Sequence, residues 1–547
     1  MRSTIRMYLF SVLRAGRSLR EHSREEPVLT ANTTSKNNTR KKKILSVFLL
    51  TAGNFLLFLT LWLFQKYDKI VIDQFLFQLK TTSEGVDFSL VWSCVLRVCL
   101  PTAALTLFDL FAYRFLSGRM TNLGADHARY RTYKGSKPCA FFAKRMLSLS
   151  FAVFLMGVIA LVAVLRIPSY LDAATTESDF IEDHYVDPRS VSVIFPETKR
   201  NLVYIFLESM ESTFADPTAG GAIRENYIPE LSALAEENIS FSHTQGMGGA
   251  QSFSGTTWTA AAMVSQTSGI PMKVKLGADA YGSDEVFMPG IVSLGEILQK
   301  EGYNQLLLLG SDAEFHGREL YFLQNGNYEI LDTEAMKAAG RLPEDYREWW
   351  GYEDEKLFAY AKEELTRLAS EGRPFNFTML TADTHFPDGY LCRLCGNEHE
   401  EQYANVLSCS SKQVYAFVSW LKEQPFYENT TVIISGDHLT MDGAFLKDTD
   451  ENYTRTIYNC ILNAPLQPIR EKERSFATFD LFPTTLAALG VTVEGDRLAL
   501  GTNLFSDQET LAERYGSAVL DEELKKNSEY YNARFLGMET ETADSAK

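Results

Sequence analysis

The chain has 547 residues, of which 45% are hydrophobic and 22% are charged, and its formal net charge is −17. This length exceeds one typical domain and provides enough apolar material for a large core. The acidic balance gives no basis for a nucleic-acid partner, because such partners select basic surfaces.

Three long apolar stretches in the first third of the chain predict membrane-spanning helices. They cover residues 44–64, roughly 88–113 and about 146–165, and a helix needs about 20 residues to cross a bilayer. The second stretch contains Arg97 and Asp109, which would have to face neighbouring helices or a polar cavity. A signal peptide is the alternative for the first stretch, but its apolar run exceeds the usual ~7–15 residues. We therefore expect a basic arm at 1–43 and a membrane region of about three helices at 44–166.

Basic residues flank the predicted spans. Arg40 to Lys43 precede the first span, and the loop after the second carries Arg114, Arg119, Arg129, Arg131, Lys134, Lys137, Lys144 and Arg145. Because cytoplasmic loops are the ones enriched in Lys and Arg, both segments are expected in the cytoplasm. Everything after Arg166 would then lie outside the cytoplasm, in a multi-pass protein of the cell membrane. The amphipathic loop at 66–86 would either rest on the membrane surface or form a simple packed connection.

The remainder of the chain has the pattern of an α/β domain. A polar segment at 167–198 predicts an extended linker, and a catalytic domain is expected at 199–505, followed by a charged tail at 506–547 that wraps the surface as helix and coil. Strand-like apolar runs alternate with helical patterns, which indicates a mostly parallel central sheet flanked by helices. The predicted strands are 201–209, 304–312, 375–383 and 429–437, and the predicted helices lie near 290–301, 354–370, 405–424 and 478–489.

All four predicted strands end in polar groups. These are Glu208, Asp312, Asp383 with His385 just beyond, and Asp437 with His438. The carboxyl ends of parallel strands share one edge of a sheet, so these side chains are expected to converge there. Glu208, Asp437 and His438 together suit a divalent ion such as Mn, Mg or Zn. For Glu208 the alternative is a helix cap or an ion pair, because an unpaired carboxylate behind an apolar strand is costly.

A hydroxyl nucleophile is predicted in the segment 248–272, GGAQSFSGTTWTAAAMVSQTSGIPM. Thr259 would stand at a helix N-terminus, where backbone N–H groups and the helix dipole favour an anion. A hydroxyl bound to a metal also loses its proton more readily. The alternative is that Thr259 merely caps the helix, with Thr256 and Thr257 as rival caps.

The cysteines divide between the two predicted regions. Cys94, Cys99 and Cys139 belong to the membrane region, whereas Cys392, Cys395, Cys409 and Cys460 form an even set in the domain that follows. We expect one or two disulfides in that domain. A metal or redox motif is the alternative for Cys392-x-x-Cys395, although no second CxxC or pair of histidines accompanies it.

Seven motifs follow one another between residues 200 and 505. They are LESMEST (207–213), TTWTAAAMVSQTSGIP (256–271), GSDAEFHGRELYF (310–322), TADTHFPDGYLC (381–392), VIISGDH (432–438), RTIYNCILNAP (455–465) and FATFDLFPTTLAALGV (476–491). Together they resemble the membrane-anchored phosphoglycerol transferases, which belong with the lipoteichoic acid synthases in the alkaline phosphatase/sulfatase superfamily. The resemblance implies an α/β fold in which N-terminal transmembrane helices precede a sulfatase-like domain.

The resemblance also implies roles for individual residues. One divalent metal, commonly manganese in that family, would be held by Glu208, Thr259, Asp437 and His438. Arg318 and His385 match the residues that bind the glycerol phosphate. His316 falls where lipoteichoic acid synthases carry an aromatic residue, and Asp312 lies near a polar substrate contact, so both are candidate substrate-binding residues.

The reaction implied by the resemblance is transfer of glycerol phosphate from phosphatidylglycerol. Thr259 would attack the phosphorus, diacylglycerol would leave, and a glycerophosphoryl-threonine would persist until an acceptor hydroxyl displaces it. His385 would either exchange the proton or only donate a hydrogen bond to phosphate. The acceptor is open between a glycan, a glycolipid and a growing polymer.

Other functions are compatible with the same residues. A phosphoethanolamine transferase would share the threonine nucleophile, and a phosphodiesterase would use water as the acceptor. A catalytically silent membrane-bound binding module would keep the fold without the reaction. A sulfatase in the strict sense is disfavoured, because no C/S-x-P-x-R motif accompanies Thr259.

Overall fold

The computed structural model describes residues 30–66, 72, 88–125, 145–274 and 286–538. Most of the basic arm, most of the loop at 66–86, most of the basic loop after the second span, Cys139 and the end of the tail lie outside the described residues. The chain forms two compact units, the described parts of residues 1–57 and 99–158 in one and those of residues 58–98 and 159–547 in the other.

The predicted spans are helical. The helices are α1 (Thr30–Lys66), α2 (Phe88–Cys94), α3 (Leu100–Ala125) and α4 (Met146–Val164), with a π-helical turn at Val95–Cys99 between α2 and α3. Within the part of the chain that the structure describes, three segments are long and apolar enough to cross a membrane: Lys41–Lys66, Val91–Ala112 and Met146–Val164. Asp109 Oδ2 accepts a hydrogen bond from Asn54 Nδ2 at 3.4 Å, as expected for a carboxylate in an apolar helix. Arg97 lies exposed in the π-helical turn.

Helices α1 and α4 approach each other closely at two glycines. A Cβ atom on Gly53 would lie 2.7 Å from the backbone nitrogen of Phe154, and one on Gly157 would lie 2.8 Å from the carbonyl oxygen of Gly53. Small residues permit such close backbone approach between helices in membranes.

The second unit contains a seven-stranded sheet. From residue 167 onward, the helices and strands of this unit are α5 (Ile167–Thr175), α6 (Phe180–His184), β1 (Val193–Ile194), β2 (Asn201–Leu207), α7 (Pro229–Glu237), β3 (Gly249–Ala250), α8 (Thr259–Ser268), α9 (Leu294–Lys300), β4 (Asn304–Leu309), α10 (Arg318–Gln324), β5 (Glu329–Leu331), α11 (Thr333–Ala338), α12 (Asp354–Ser370), β6 (Phe375–Leu380), α13 (Gln402–Lys422), β7 (Thr430–Gly436), β8 (Ile457–Leu462), α14 (Leu481–Ala488), β9 (Thr492–Val493), β10 (Arg497–Leu498), β11 (Gly501–Thr502), α15 (Leu511–Tyr515), α16 (Ser517–Lys525) and α17 (Glu529–Leu536).

The strand order is β3-β8-β7-β2-β6-β4-β5. The strands from β7 to β5 are parallel, whereas β8 runs antiparallel to β7 and β3 antiparallel to β8. This confirms the prediction of a mostly parallel sheet, and all four predicted strands are present.

The sheet separates two hydrophobic cores, and the side chains of β2 alternate between them. Leu202, Tyr204 and Phe206 belong to the core that contains α8 and α14. Val203, Ile205 and Leu207 belong to the core that contains α7, α12 and α13. A strand covered on both faces has an almost continuous apolar sequence, which is why β2 could be recognised from its residues.

The extended conformation predicted for the linker at 167–198 is wrong. This segment forms α5 and α6, and β1 pairs with β9. Ile181 of α6 is buried in the same core as Leu520 and Phe535 of the tail helices. The segment at 167–198 and the tail are polar overall, but each contains a few apolar side chains that pack onto the domain.

The disulfides expected in this domain are not formed. Cys392, Cys395, Cys409 and Cys460 all carry free thiols. Cys460 lies fully buried on β8, and its Sγ donates a hydrogen bond to the carbonyl oxygen of Leu234 at 3.3 Å. The even number of cysteines therefore did not predict disulfides correctly, because the fold brings three of the four together and places Cys460 elsewhere.

Candidate functional site

The ends of β2 and β7 bring two carboxylates together. The two strands are parallel neighbours, and Leu207 lies opposite Gly436, so the following residues, Glu208 and Asp437, lie side by side at the edge of the sheet. The N–H group of Asp437 donates to the carbonyl oxygen of Leu207 at 3.0 Å, which continues the pairing one residue beyond the strands. Both side chains are buried.

Thr259 lies between these carboxylates and His438 as the first residue of α8. Its Oγ1 is 3.4 Å from Glu208 Oε2 and 3.4 Å from His438 Nε2. Trp258 occupies the N-cap position, and no side chain caps this helix. Thr256, one of the rival caps, instead accepts a hydrogen bond from the N–H of Phe253. The hydroxyl of Thr259 is therefore directed to the acidic cluster and does not serve the helix terminus.

The neighbours of Asp437 and His438 fix their orientation. His438 Nδ1 donates to the carbonyl oxygen of Leu439 at 2.9 Å, which leaves the lone pair on Nε2 for a ligand. Asp437 Oδ1 accepts from the N–H groups of Ser209 and His438, each at 2.7 Å. Asp437 Oδ2 has no hydrogen-bond partner among the described residues although it is buried. A buried oxygen of this kind requires an explanation, and a bound cation supplies one.

The residues present fit a divalent metal. His438 Nε2 lies 3.5 Å from Glu208 Oε1 and 3.5 Å from Asp437 Oδ2. Two ligand atoms at about 2.1 Å from one ion lie about 3.4 Å apart at tetrahedral angles. One ion between these atoms would therefore need little rearrangement of the side chains.

The electrostatics of the cluster also call for a cation. Burial and the neighbouring Glu208 raise the pKa of Asp437 above its ordinary value. Burial lowers the pKa of His438, but the two carboxylates outweigh this and raise it overall. The negative charge of Glu208 contributes to the rise in both pKa values, because this charge is held at a site that excludes water.

Arg318 lies buried in the same pocket as Glu208 and Thr259. Its Nε donates to the carbonyl oxygen of Phe315, and its Nη2 donates to Ser311 Oγ and to the carbonyl oxygen of Asp312. Burial lowers the pKa of Arg318 to about 10, although nearby carboxylates oppose the shift. The guanidinium is therefore charged at neutral pH, and these three bonds leave the Nη1 N–H groups for the oxygens of a ligand.

Two histidines also line this pocket. Burial, together with Arg318 and His385, lowers the pKa of His316 to about 3, so its ring is neutral at neutral pH. His316 has a φ of 60°, in the left-handed region that is strained for side chains other than glycine. His385 Nδ1 donates to the carbonyl oxygen of Phe386 at 2.6 Å, and its ring contacts Trp350 edge-to-face at a centroid distance of 4.5 Å.

Asp312 and Asp383 belong neither to the pocket lining nor to the cluster of Glu208, Asp437 and His438. The side chain of Asp312 accepts a hydrogen bond from the N–H of Glu314 through Oδ1. Asp312 contacts the pocket residue Arg318 through its backbone carbonyl oxygen, which accepts a hydrogen bond from Arg318 Nη2. Asp383 Oδ1 accepts from the N–H of Asp354. The shared sheet edge therefore predicted proximity correctly but not the direction of each side chain.

Sequence reasoning missed several residues that support the site. Ser209 Oγ donates to Glu208 Oε1 at 2.7 Å. Thr381 Oγ1 accepts from the N–H of Glu208, and Thr384 Oγ1 donates to its carbonyl oxygen. Trp350 lies between α11 and α12 in a segment without helix or strand. The motifs LESMEST and TADTHFP contain the first three of these residues, but only the folded arrangement reveals their contacts.

These features define an α/β domain in which two carboxylates, an imidazole and a hydroxyl meet at the carboxyl edge of a parallel sheet. The family model "Sulfatase" matches residues 200–491, which is more than half of the chain. The chain belongs to the sulfatase family. This confirms the superfamily and the fold class expected from the motifs.

The chain is also similar to individual proteins and solved structures. The chain is similar to phosphoglycerol transferase I of Escherichia coli O139:H28 (strain E24377A / ETEC), with 31% identity over 333 residues, which cover 59% of this chain and 41% of that protein. The chain thus matches less than half of that relative's length. Among solved structures it is similar to the lipoteichoic acid synthase LtaP from Listeria monocytogenes, with 18% identity, coverage of 60% and 81% of the two chains and a TM-score of 0.45. It is also similar to the lipooligosaccharide phosphoethanolamine transferase EptA from Neisseria meningitidis, with 14% identity, coverage of 82% and 84% and a TM-score of 0.47.

Proposed function

We propose that the chain is a metal-dependent phosphoglycerol transferase. It moves glycerol phosphate from phosphatidylglycerol, through an intermediate on Thr259, to a hydroxyl of an extracytoplasmic glycan, glycolipid or polymer. The observation that carries the proposal is the position of Thr259 Oγ1, 3.4 Å from both Glu208 and His438, in a pocket that also contains Arg318 and His385. The printed name of the relative, phosphoglycerol transferase I, supports this choice of donor.

The metal ligands of the proposal are Glu208, Asp437, His438 and the hydroxyl of Thr259. Manganese is the proposed ion, with magnesium or zinc as alternatives that the same oxygen and nitrogen ligands accept. When bound, such an ion lowers the pKa of a hydroxyl and offsets the negative charge of a phosphate group.

The protein residues act in two displacements. Thr259 Oγ1 would react as the alkoxide, because a bound ion would lower the pKa of its hydroxyl and let the proton pass to solvent. It forms a bond to phosphorus while the bond from phosphorus to the diacylglycerol oxygen breaks. Arg318 holds phosphate oxygens through Nη1, because Nε and Nη2 are already used to fix its position. In the second displacement an acceptor hydroxyl attacks the same phosphorus and releases Thr259.

His385 is the proposed carrier of the proton. Its Nδ1 is bound to the carbonyl oxygen of Phe386, so Nε2 is the nitrogen that can exchange a proton with substrate. It would protonate the diacylglycerol oxygen as that group leaves and accept the proton of the acceptor hydroxyl in the second step. A neutral His316 and a cationic Arg318 make the remainder of this side of the pocket suited to a phosphate monoanion.

We further propose that the chain is a multi-pass protein of the cell membrane with an extracytoplasmic catalytic domain. The three candidate spans and the basic segments beside them support this orientation. A lipid donor is then concentrated at the bilayer in which the enzyme is anchored. Fusion of a reporter that is active only outside the cytoplasm after residue 538 tests the topology, and an inactive reporter would contradict it.

The reaction is tested with the purified full-length protein, phosphatidylglycerol labelled in its headgroup, Mn²⁺ and a glucan acceptor. We expect release of diacylglycerol and labelled acceptor from wild type, loss of at least about a thousandfold in the Thr259→Val variant, and partial activity in Thr259→Ser. Valine preserves the shape of threonine but lacks the hydroxyl, so the pair isolates the nucleophile. Full turnover by Thr259→Val would refute the assignment.

Parallel reactions separate the alternatives. Phosphatidylethanolamine labelled in its headgroup tests the phosphoethanolamine transferase, and release of free glycerol phosphate without acceptor labelling tests the phosphodiesterase. No turnover of either lipid, with binding retained, would identify a silent binding module.

A further inference from the structure

A cluster of three thiols lies outside the pocket that contains Thr259. Cys392 Sγ is 3.6 Å from Cys395 Sγ and 3.7 Å from Cys409 Sγ, and the three sulfur atoms all lie within 4.8 Å of one another. Cys392 and Cys395 belong to the segment between β6 and α13, whereas Cys409 belongs to α13. None of the three lines the pocket that contains Thr259.

We propose that Cys392, Cys395 and Cys409 bind a zinc ion that has a structural role. Zinc lies about 2.3 Å from each thiolate in a tetrahedral site, which places neighbouring sulfur atoms about 3.8 Å apart. The two measured separations, 3.6 and 3.7 Å, are close to this value. Three thiolates would supply three corners of the tetrahedron, and a water molecule would supply the fourth.

The backbone and a neighbouring side chain support the proposed ligands. The N–H of Cys395 donates to the carbonyl oxygen of Cys392 at 3.1 Å, a tight turn that brings both thiols of the C-x-x-C sequence to one side. Gln413, one helical turn beyond Cys409, donates from Nε2 to Cys409 Sγ at 3.4 Å and approaches Cys392 Sγ at 3.9 Å. Hydrogen bonds to ligand atoms orient them and stabilise the bound metal.

The number of thiols favours a metal over a disulfide. A disulfide joins two sulfur atoms and leaves the third thiol of this cluster unused, whereas one metal ion uses all three. Cys460 offers no partner for a remaining thiol, because its side chain is fully buried on β8 against the carbonyl of Leu234.

A zinc ion here would fasten a long irregular segment to a helix. Residues 381–401 contain no helix or strand, and they include His385. Segments of this length lose considerable conformational entropy when they become ordered. The ion would join residues 392 and 395 of this segment to α13 and would thereby hold the backbone that carries His385. This role is separate from the proposed transfer reaction and does not depend on it.

The experiment measures zinc in full-length protein that carries Asp437→Asn, so that the proposed catalytic ion does not contribute. After exposure to zinc and removal of loosely bound metal, elemental analysis should give about one zinc per chain. Adding Cys395→Ser, at a half-buried position, should lower this content at least severalfold, whereas adding Cys99→Ser, an exposed thiol outside the cluster, should leave it unchanged. Cobalt in place of zinc should give a thiolate-to-cobalt charge-transfer band that only Cys395→Ser abolishes.

Two results would overturn the proposal. One is equal zinc content in the Cys395→Ser and Cys99→Ser proteins. The other is a disulfide between any two of the three cysteines, found by mass spectrometry of protein purified without reductant. Gln413→Leu provides a second variant that keeps all three thiols, and we expect it to bind zinc roughly 10- to 100-fold more weakly.

Discussion

Replacing Asp437 by asparagine should stabilise the metal-free protein and abolish its response to metal. Burial and Glu208 raise the pKa of Asp437 from 3.8 to about 7. Because a raised pKa favours the neutral acid, this group costs the folded state nothing below about pH 4 and a growing amount as the pH rises towards 7. A difference of about three units corresponds to about 4 kcal/mol of unfolding free energy at pH 8, at about 1.4 kcal/mol per unit.

Asparagine removes the charge and preserves the acceptor. Its Oδ1 can still receive the N–H groups of Ser209 and His438, which Asp437 Oδ1 binds now. In the presence of a chelator, the Asp437→Asn protein should therefore unfold at a higher temperature than wild type at pH 8, by up to about 8 °C at ~2 °C per kcal/mol. The difference should shrink towards zero at pH 4. Added Mn²⁺ should raise the midpoint of wild type and leave that of the variant unchanged.

Thermal unfolding of chelator-treated full-length protein, followed by circular dichroism with and without Mn²⁺, measures these shifts. Asp345→Asn is the matched control, because Asp345 is exposed and its replacement should alter neither the pH dependence nor the response to metal. Equal midpoints for wild type and Asp437→Asn at pH 8 without metal would refute the electrostatic argument. Equal stabilisation of both proteins by Mn²⁺ would refute the metal-ligand assignment.

Three further substitutions test the remainder of the site. Arg318→Lys removes the planar donor set that holds Phe315, Ser311 and Asp312, so kcat/KM in steady-state assays should fall about 100-fold, and an unchanged value would exclude Arg318 from phosphate binding. His385→Gln keeps a hydrogen-bond donor but cannot carry a proton, so kcat should fall at least about 100-fold. A loss below tenfold would indicate a hydrogen-bond donor only. Ser209→Ala deletes the 2.7 Å bond to Glu208 Oε1, and Mn²⁺ titration of activity should show roughly 10- to 100-fold weaker metal binding with kcat nearly preserved at saturation; unaltered metal affinity would contradict this role.

The proximity of Glu208, Asp437 and His438 could be predicted because the strands that precede them are recognisable. The run before Glu208 is almost wholly apolar, and the run before Asp437 contains Val432, Ile433 and Ile434, as is typical of strands covered on both faces. Parallel pairing then aligns their ends, and the structure gives Leu207 opposite Gly436. The proximity of Glu208 and Asp437, more than two hundred positions apart, could therefore be predicted from the apolar pattern of each strand and from parallel pairing.

The direction of a side chain beyond a strand end could not be predicted in the same way. Glu208 directly follows β2, whereas Asp383 is the third residue after β6. Asp383 accepts a hydrogen bond from the N–H of Asp354 and lies outside the pocket. Successive residues point to opposite faces of an extended chain, so a shift of one residue reverses the outcome. Thr259 was equally ambiguous, because a helix N-terminus suits a cap and a nucleophile alike. Its proximity to Glu208 and His438 arises only from the folded arrangement.

Composition was a poor guide to the segments on either side of the domain core. The segment at 167–198 was expected to be extended because it is polar, but Ile181 suffices to anchor α6 in the core. The cysteines were expected to pair because their number is even, but the fold isolates Cys460 from the other three. In both cases long-range packing decided the outcome, and no local pattern encodes it.

The most direct test of the central claim is to trap the intermediate. Wild-type protein is incubated with Mn²⁺ and headgroup-labelled phosphatidylglycerol without an acceptor, digested, and analysed by mass spectrometry. We predict a glycerophosphoryl group on Thr259, absent from the Thr259→Val protein. A label on a different residue, or lipid turnover by Thr259→Val without any adduct, would contradict the assignment of Thr259 as the nucleophile.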